Sequence, residues 1–311
     1  MDTQLLEAFI AVASTGSFSD AAEKIHLTQP AVSKRIALLE QQLNCRLFDR
    51  IARSVTLTEA GEALLPRANH ILREIADTTQ AINDLSGDIS GRLRLAISHH
   101  IGLHRLPPIL KRFAQGYPEV TIDVDFMDSE KAYEGILQGR FEVAAITLAP
   151  EAHSKIEAKT IWPDPLVFMV SDDHPLLSIN KEYKGNGLKE GNPTLENLRD
   201  YPAILPGLGT YTGRMTRALF EQQNVPLPST MTTNYLETIK MMVSIGLGWS
   251  LLPKSMLEPG IRPVNIPGIQ IQRELGYIHH REKSLSNAAK AFIRLLQQES
   301  QDKEGQRNIR P

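Results

Sequence analysis

A single cysteine, Cys45, occurs in 311 residues. That scarcity excludes an intrachain disulfide, a thiolate-rich zinc site and a two-cysteine redox switch within one chain; Cys45 itself reads as a small core residue. Long apolar runs are also missing, since nothing approaches the about 18 consecutive apolar residues of a membrane helix. The chain opens on an amphipathic pattern with acidic residues, not on a basic segment followed by an apolar core. No secretory leader is therefore expected, and the cytoplasm is the expected compartment. A charge excess is absent too: 34 Lys and Arg against 36 Asp and Glu leave a formal charge of −2, which argues neither for nor against nucleic acid. No nucleophile elbow, no HExxH and no standout carboxylate pair occurs, so an enzyme is not expected. At this length the chain is expected to hold two or three domains.

What is present is concentrated near the start. Phe18 to Leu43 reads FSDAAEKIHLTQPAVSKRIALLEQQL, a pattern for two short helices around a tight corner. Val32, Ile36, Leu39 and Leu43 step by four, three and four and share one buried stripe. Gln29, Ser33 and Ala37 fall on another face, with Pro30 and Lys34 beside them. Thr28 suits an N-cap, and Pro30 is tolerated because first-turn amides have no intrahelical partner. A helix anchored on one side and offering Gln, Ser, Lys and Arg from its N-terminal half suits a DNA major groove. An ordinary amphipathic helix with a solvated face reads the same in isolation, so its context decides. Between Lys24 and Arg53 stand six basic residues (Lys24, Lys34, Arg35, Arg46, Arg50, Arg53) and two acidic ones (Glu40, Asp49), a local +4. Such a patch fits phosphate contact over a limited footprint.

Before this stretch, residues 3–14 form a helix burying Leu5, Leu6, Phe9, Ile10 and Ala13, ended by Gly16. Ser19 is placed to cap the helix that follows. After it, RLFDRIARSVTLTEAG alternates and reads as a hairpin, or wing, holding Arg50 and Arg53 near a duplex backbone. From Thr58 to about Leu85 runs one long helix, with Pro66 expected to kink its first turns. Leu64, Ala68, Ile71, Ile75, Thr78, Ile82 and Leu85 step by four and three, the repeat of a coiled-coil seam that needs a second copy to bury it. A dimer would set two recognition helices on two half-sites about one helical turn (~34 Å) apart, or a multiple of it.

Gly87 to Gly91 is a hinge by composition. Beyond it strands (93–98, 120–127, 142–147, 165–171, 203–206, 274–280) alternate with helices, which implies parallel sheets covered on both faces and, over some 200 residues, two lobes. Residues 301–311 are polar and read as a disordered tail.

The string AFIAVASTGSFSDAAEKIHLTQPAVSKRIALLEQQLNCRLFDRIARSVTLTEAG resembles the LysR-type transcriptional regulators almost position for position. The similarity extends to the linker helix and the late VSIGLGWSLLP segment, covering essentially the whole chain. The resemblance implies a winged helix-turn-helix, a dimerising linker helix and a two-lobed α/β effector domain similar to type 2 periplasmic binding proteins, usually in a tetramer. It divides the chain into a DNA-binding domain (1–60, with the helix-turn-helix at 18–37), a linker helix (58–87), and an effector domain (92–300). Lobe I takes 92–162 and 269–300, lobe II 163–268. By that resemblance Thr28, Gln29, Pro30, Ser33, Lys34 and Arg35 occupy DNA-contacting positions, and Arg50 and Arg53 those of the wing. Leu64, Ala68, Ile71, Ile75, Ile82 and Leu85 are the dimerisation residues. One departure is a longer Gly-, Lys- and Asn-rich loop at 181–193.

In open α/β sheets a ligand sits beyond the carboxyl ends of the strands, where helix N-termini present free amides. Those ends carry Ser98, His99, His100, Ser129, Thr147, Gly207, Thr210, Tyr211 and Asn234. Hydroxyls, a Gly-rich turn and free amides suit a carboxylate or other small anion, with His99 or His100 bonding it; any one of these residues taken singly reads more often as a helix cap than as a ligand contact, and it is their clustering at equivalent strand ends that favours a site. Gly207-x-Gly209-x-x-x-Gly213 nearly imitates a dinucleotide fingerprint, but its last spacing is one too long and no acidic residue follows about 20 positions on, so no cofactor is expected. His99, His100 and His104 lack cysteine or acidic company for a metal. The expected function is effector-controlled transcription regulation. A constitutive DNA-binding regulator without ligand is the alternative, while a solute-binding protein leaves the first 90 residues unexplained.

Overall fold

The computed structural model describes residues 2–51, 54–151, 153–179, 193–228 and 230–307. The chain divides into two compact units, Met1–Asp88 and Ile89–Pro311. Among the described residues no helix is long and apolar enough to cross a membrane.

The first unit begins with α1 (Thr3–Thr15), capped by the Asp2 carboxylate on the Gln4 amide and closed by Gly16 in the left-handed conformation. Helix α2 (Phe18–Lys24) follows, and its cap is Ser17, whose hydroxyl accepts from the Asp20 amide. Ser19, expected in that role, lies inside the helix: the chain turns one residue after Gly16, two positions earlier than the sequence suggested. Helix α3 (Gln29–Leu43) buries Val32, Ile36 and Leu39 and ends at Asn44, also left-handed. Strands β1 (Phe48–Ile51) and β2 (Ser54–Leu57) pair antiparallel, with Arg50 opposite Val55. Helix α4 (Glu59–Asn83) starts at Thr58, whose hydroxyl accepts from the Gly61 amide, and Pro66 lies inside it without ending it. Phe9, Phe18 and Phe48 meet as a ring cluster at the centre of this unit. Cys45 is exposed, not a core residue; it follows the left-handed Asn44, where the chain leaves the helix, and the burial falls to Leu47 instead.

The second unit begins with parallel strands β3 (Gly91–Ile97), β4 (Val120–Phe126) and β5 (Val143–Thr147) in the order β4-β3-β5. Helix α5 (His99–His104) and helix α6 (Pro107–Gly116) are separate, because Pro107 opens α6 where its missing amide does no harm. Helix α7 (Ser129–Leu137) returns between β4 and β5. Two long strands then depart from the parallel sheet expected. Strand β6 (Ile156–Ser171) starts nine residues earlier than its apolar run and pairs antiparallel with β11 (Ile271–His280), which in turn pairs antiparallel with β5. Pro163 and Pro165 obscured that first half, since proline weakens a strand reading. A bulge interrupts β11 at Leu275/Gly276, where a Cβ on Gly276 would meet the Lys159 carbonyl oxygen.

The second half of β6 carries β9 (Ser250–Pro253) and β10 (Ile261–Val264), both antiparallel to it. Around them lie α8 (Leu195–Arg199), the parallel pair β7 (Ala203–Leu205) and β8 (Thr230–Thr232), α9 (Tyr211–Gln222) and α10 (Leu236–Ser244). Trp249 anchors this lobe, stacked on Phe220 with its indole N–H donating to the Leu198 carbonyl. The other lobe packs Phe113 against Phe292 of α11 (Asn287–Arg307). That helix runs through Gln301–Arg307, which had been expected to be disordered. Gln, Lys and Glu extend a helix readily once its buried half has nucleated it. The loop at 181–192 and residues 308–311 lie outside the described residues.

Candidate functional site

On the first unit, α3 is held by its buried stripe and turns Thr28, Gln29, Pro30 and Lys34 outward, all exposed. Thr28 occupies the N-cap with extended backbone, but its hydroxyl caps nothing. The amides of Ala31 and Val32 bond its backbone carbonyl instead, so the hydroxyl is available to an outside partner. The Gln29 side-chain amide donates to the Ser33 hydroxyl at 2.9 Å. That bond joins two positions one turn apart and fixes the glutamine's direction. Arg35 stands apart from this face. One position is about 100° of helix, and its guanidinium donates to the Gln4 side chain of α1 at 2.7 Å. Arg50 lies on β1, with its side chain outside the described set, as is all of Arg53.

The seam of α4 is divided. Ala68 is fully buried, and Leu64 and Ile71 are half-buried against the core of the same unit, where α1 packs on α4. A seam free along its whole length, as the heptad steps suggested, is therefore corrected for its first three residues: α1 occupies them. Ile75, Ile82 and Leu85 are 46%, 63% and 85% exposed, and Leu85 sits in a 3₁₀ turn just beyond the helix.

In the second unit a cavity of about 60 Å³ lies between the lobes. Its wall collects the first residues of α5, α7, α9 and α10 and the end of β5. Ser98 is the N-cap of α5 and makes no side-chain cap bond. His99 packs against Phe126 and Tyr235. The Ser129 hydroxyl accepts from the Thr147 amide at 3.1 Å, tying α7 to β5. Thr210 caps α9 through the Gly213 amide and donates to the Gly207 carbonyl. The Asn234 side chain receives the Gly207 amide at 2.9 Å and donates to Asp128 across the lobes at 2.9 Å. Eight of the nine expected residues line this cavity; Gly207 does not, and acts behind it through Asn234.

Further bonds close the two lobes on each other. Glu130 accepts from the Tyr211 amide, the first of α9, at 2.5 Å. His104 meets Glu237 at 2.5 Å. Burial opposes the Glu237 charge, but hydrogen bonds from Lys240 and His104 hold its carboxyl below the usual range. Burial, with Tyr133 and Glu130 nearby, pushes the Tyr211 phenol up to about 12, so it stays protonated.

The sequence reading missed the buried pair behind this wall. Arg273 of β11 donates Nε to Asp164 of β6 at 2.7 Å and Nη1 to Thr212 at 2.9 Å. Arg105 stands 3.9 Å from the other Asp164 oxygen. The local signals were slight: an arginine between Gln272 and Glu274 at the start of a strand, and an aspartate between two prolines.

His100 is buried with neither ring nitrogen bonded among the described residues, and burial, then Arg273, His104 and Arg105, depress it to about 3. A neutral folded imidazole against an ordinary unfolded one has a definite sign: below about pH 6.5 only the unfolded chain takes the proton, so stability falls as pH drops toward 3. Between pH 6.5 and 5 the loss is about 2 kcal/mol. Urea unfolding at both pH values is expected to show this loss, and His100→Asn to flatten it.

Comparison with known proteins agrees with both units. Residues 3–62 match the family model of the bacterial regulatory helix-turn-helix protein, lysR family, and residues 86–301 match the LysR substrate binding domain. An uncharacterized HTH-type transcriptional regulator in the ibpB-leuC intergenic region of Azotobacter vinelandii is 71% identical over 108 residues, 35% of this chain and 75% of that protein. The HTH-type transcriptional activator CmpR of Synechocystis sp. is 30% identical over 297 residues, 93% of each chain. Full-length CbnR, solved in complex with its target DNA, shares the fold with a TM-score of 0.68 at 24% identity, covering 96% of this chain and 100% of that one. The chain belongs to the lysR family of bacterial helix-turn-helix transcriptional regulators.

Proposed function

We propose that α3 reads an operator in the major groove through Gln29 and Ser33, with Thr28, Pro30 and Lys34 placed against the neighbouring backbone. The observation that carries this reading is the outward α3 face, rigid beneath because Val32, Ile36 and Leu39 are buried and oriented above because Gln29 is bonded to Ser33. Arg35 contributes from the flank by exchanging Gln4 for a phosphate, and Arg50 and Arg53 belong to the wing. Ile75, Ile82 and Leu85 pair with a second copy, and two such dimers form a tetramer in the cytoplasm. The cleft of the second unit takes a small-molecule effector, a carboxylate or similar small anion, and needs no cofactor. Its binding alters lobe closure and, through that, the spacing of paired DNA-binding units.

Base and backbone contacts separate by experiment. Gln29→Ala or Ser33→Ala is expected to relax specificity at one base position by roughly 1–3 kcal/mol, while Lys34→Ala weakens all sites alike and lowers the salt slope by about one. Operator affinities unchanged by all three would remove this face. For the cleft, Ser98→Ala with Thr210→Ala is expected to abolish effector-dependent transcription from a reporter.

A further inference from the structure

The cavity wall carries charge of both signs, unequally compensated. Arg273 is 7% exposed, and Asp164 already neutralises it from behind. Its Nη2 is buried without a hydrogen-bond partner among the described residues. An unmet buried donor is unfavourable, and a planar carboxylate is the acceptor that matches a guanidinium edge. The same cavity is lined by the Ser98 hydroxyl, which caps nothing, and by the His100 ring, whose nitrogens have no hydrogen-bond partner among the described residues.

The same wall holds Asp128 and Glu130 at the start of α7. Each accepts one hydrogen bond from the other lobe, Asp128 from Asn234 and Glu130 from the Tyr211 amide. Neither has a cationic partner among the ion pairs of the described residues. An ionised carboxylate has about four acceptor sites, so both retain capacity, and an ammonium brings three donors. A ligand with negative charge alone would meet two uncompensated carboxylates, a repulsion that a partly enclosed site strengthens.

We propose that the cleft binds a compact zwitterion of the amino-acid class, its carboxylate on Arg273 and Ser98 and its ammonium between Asp128 and Glu130. This narrows the anionic effector described above and rests on reading the cleft as the effector site. The cavity volume of about 60 Å³ exceeds the roughly 10–15 Å³ one water needs by a small factor only, so the ligand has few heavy atoms.

The full-length protein is titrated with the proteinogenic L-amino acids by thermal shift and calorimetry. Each binder is compared with its two analogues, the acid lacking the amino group and the amine lacking the carboxylate. At least one small amino acid is expected to bind, with both analogues weaker by about 100-fold. The double variant Asp128→Asn/Glu130→Gln can keep both cross-lobe hydrogen bonds while losing their charge. It is expected to weaken the amino acid at least about tenfold and to strengthen the acid analogue. The proposal is overturned if no amino acid binds at about 10 mM, far weaker than micromolar binding. It is also overturned if the acid analogue matches the amino acid in the wild type, or if the double variant leaves that preference unchanged. Binding without any change in reporter transcription would leave the zwitterion site standing and remove the effector reading; an organic acid that binds and switches transcription would do the reverse.

Discussion

Asp164→Ala is expected to destabilise the second unit by about 3–5 kcal/mol, because it strands a buried guanidinium. Asp164 is 1% exposed and bonds Arg273 Nε at 2.7 Å, with Arg105 3.9 Å away. Among the described residues, removing the carboxylate leaves Arg273 with the Thr212 hydrogen bond and no ion-pair partner. The cost is that of an unpaired buried charge, not the worth of the pair. Asp164→Leu with Arg273→Met is therefore expected to recover most of the loss, since apolar residues of similar volume remove both desolvation penalties together. Both tryptophans, Trp162 and Trp249, lie in this unit, so urea unfolding followed by tryptophan fluorescence reports on it directly. A loss under about 1 kcal/mol for Asp164→Ala would mean that water reaches the pair. The paired replacement should also abolish ligand binding while restoring stability, separating the pair's role in the cleft from its role in the fold.

Ile75→Asp with Ile82→Asp is expected to raise the dimer dissociation constant by roughly a thousandfold, about 4 kcal/mol, leaving each monomer folded. Both side chains are exposed on α4, at 46% and 63%, so neither contributes to the core of its own unit. They lie seven residues apart, one heptad, and a buried carboxylate without a partner disrupts such a seam. Leu64, Ala68 and Ile71 share that periodicity but pack against their own chain, so Ala68→Asp should unfold the first unit instead. Sedimentation velocity with circular dichroism distinguishes these outcomes. A double variant that stays dimeric would place the interface elsewhere.

The contrast between these two predictions shows what the sequence makes legible. Helix α3 could be read because everything that sets it is local: the four-three spacing of Val32, Ile36 and Leu39, and Pro30 in the first turn. The strand ends that line the cleft could be read for a similar reason, since alternation places them and the α/β topology gathers them. Periodicity identified the α4 stripe but not its occupant, because the identity of a covering surface is not a property of the stripe. Arg35 shared the α3 sequence yet not its face, being taken up by Gln4, 31 residues away. The Asp164–Arg273 pair joins residues 109 apart through the antiparallel crossing of β6 and β11. No local pattern specifies that crossing, and the two prolines in β6 conceal it. The charge balance of the cleft was hidden for the same reason: hydroxyls at strand ends are visible in sequence, whereas the ion pairs that the described residues make, and that leave out Asp128 and Glu130, appear only in three dimensions.

The central claim is that two copies of the α3 face read DNA at a fixed separation. Selecting sites from a random-sequence DNA pool with the full-length protein tests it most directly, and requires no knowledge of the target genes. The expected result is enrichment of a pseudo-palindrome whose half-sites lie about one helical turn, or a multiple of it, apart. Enrichment should disappear for the Ile75→Asp/Ile82→Asp protein and shift at one base position for Gln29→Ala. A pool without enrichment, or enrichment of a single unpaired site, would contradict it.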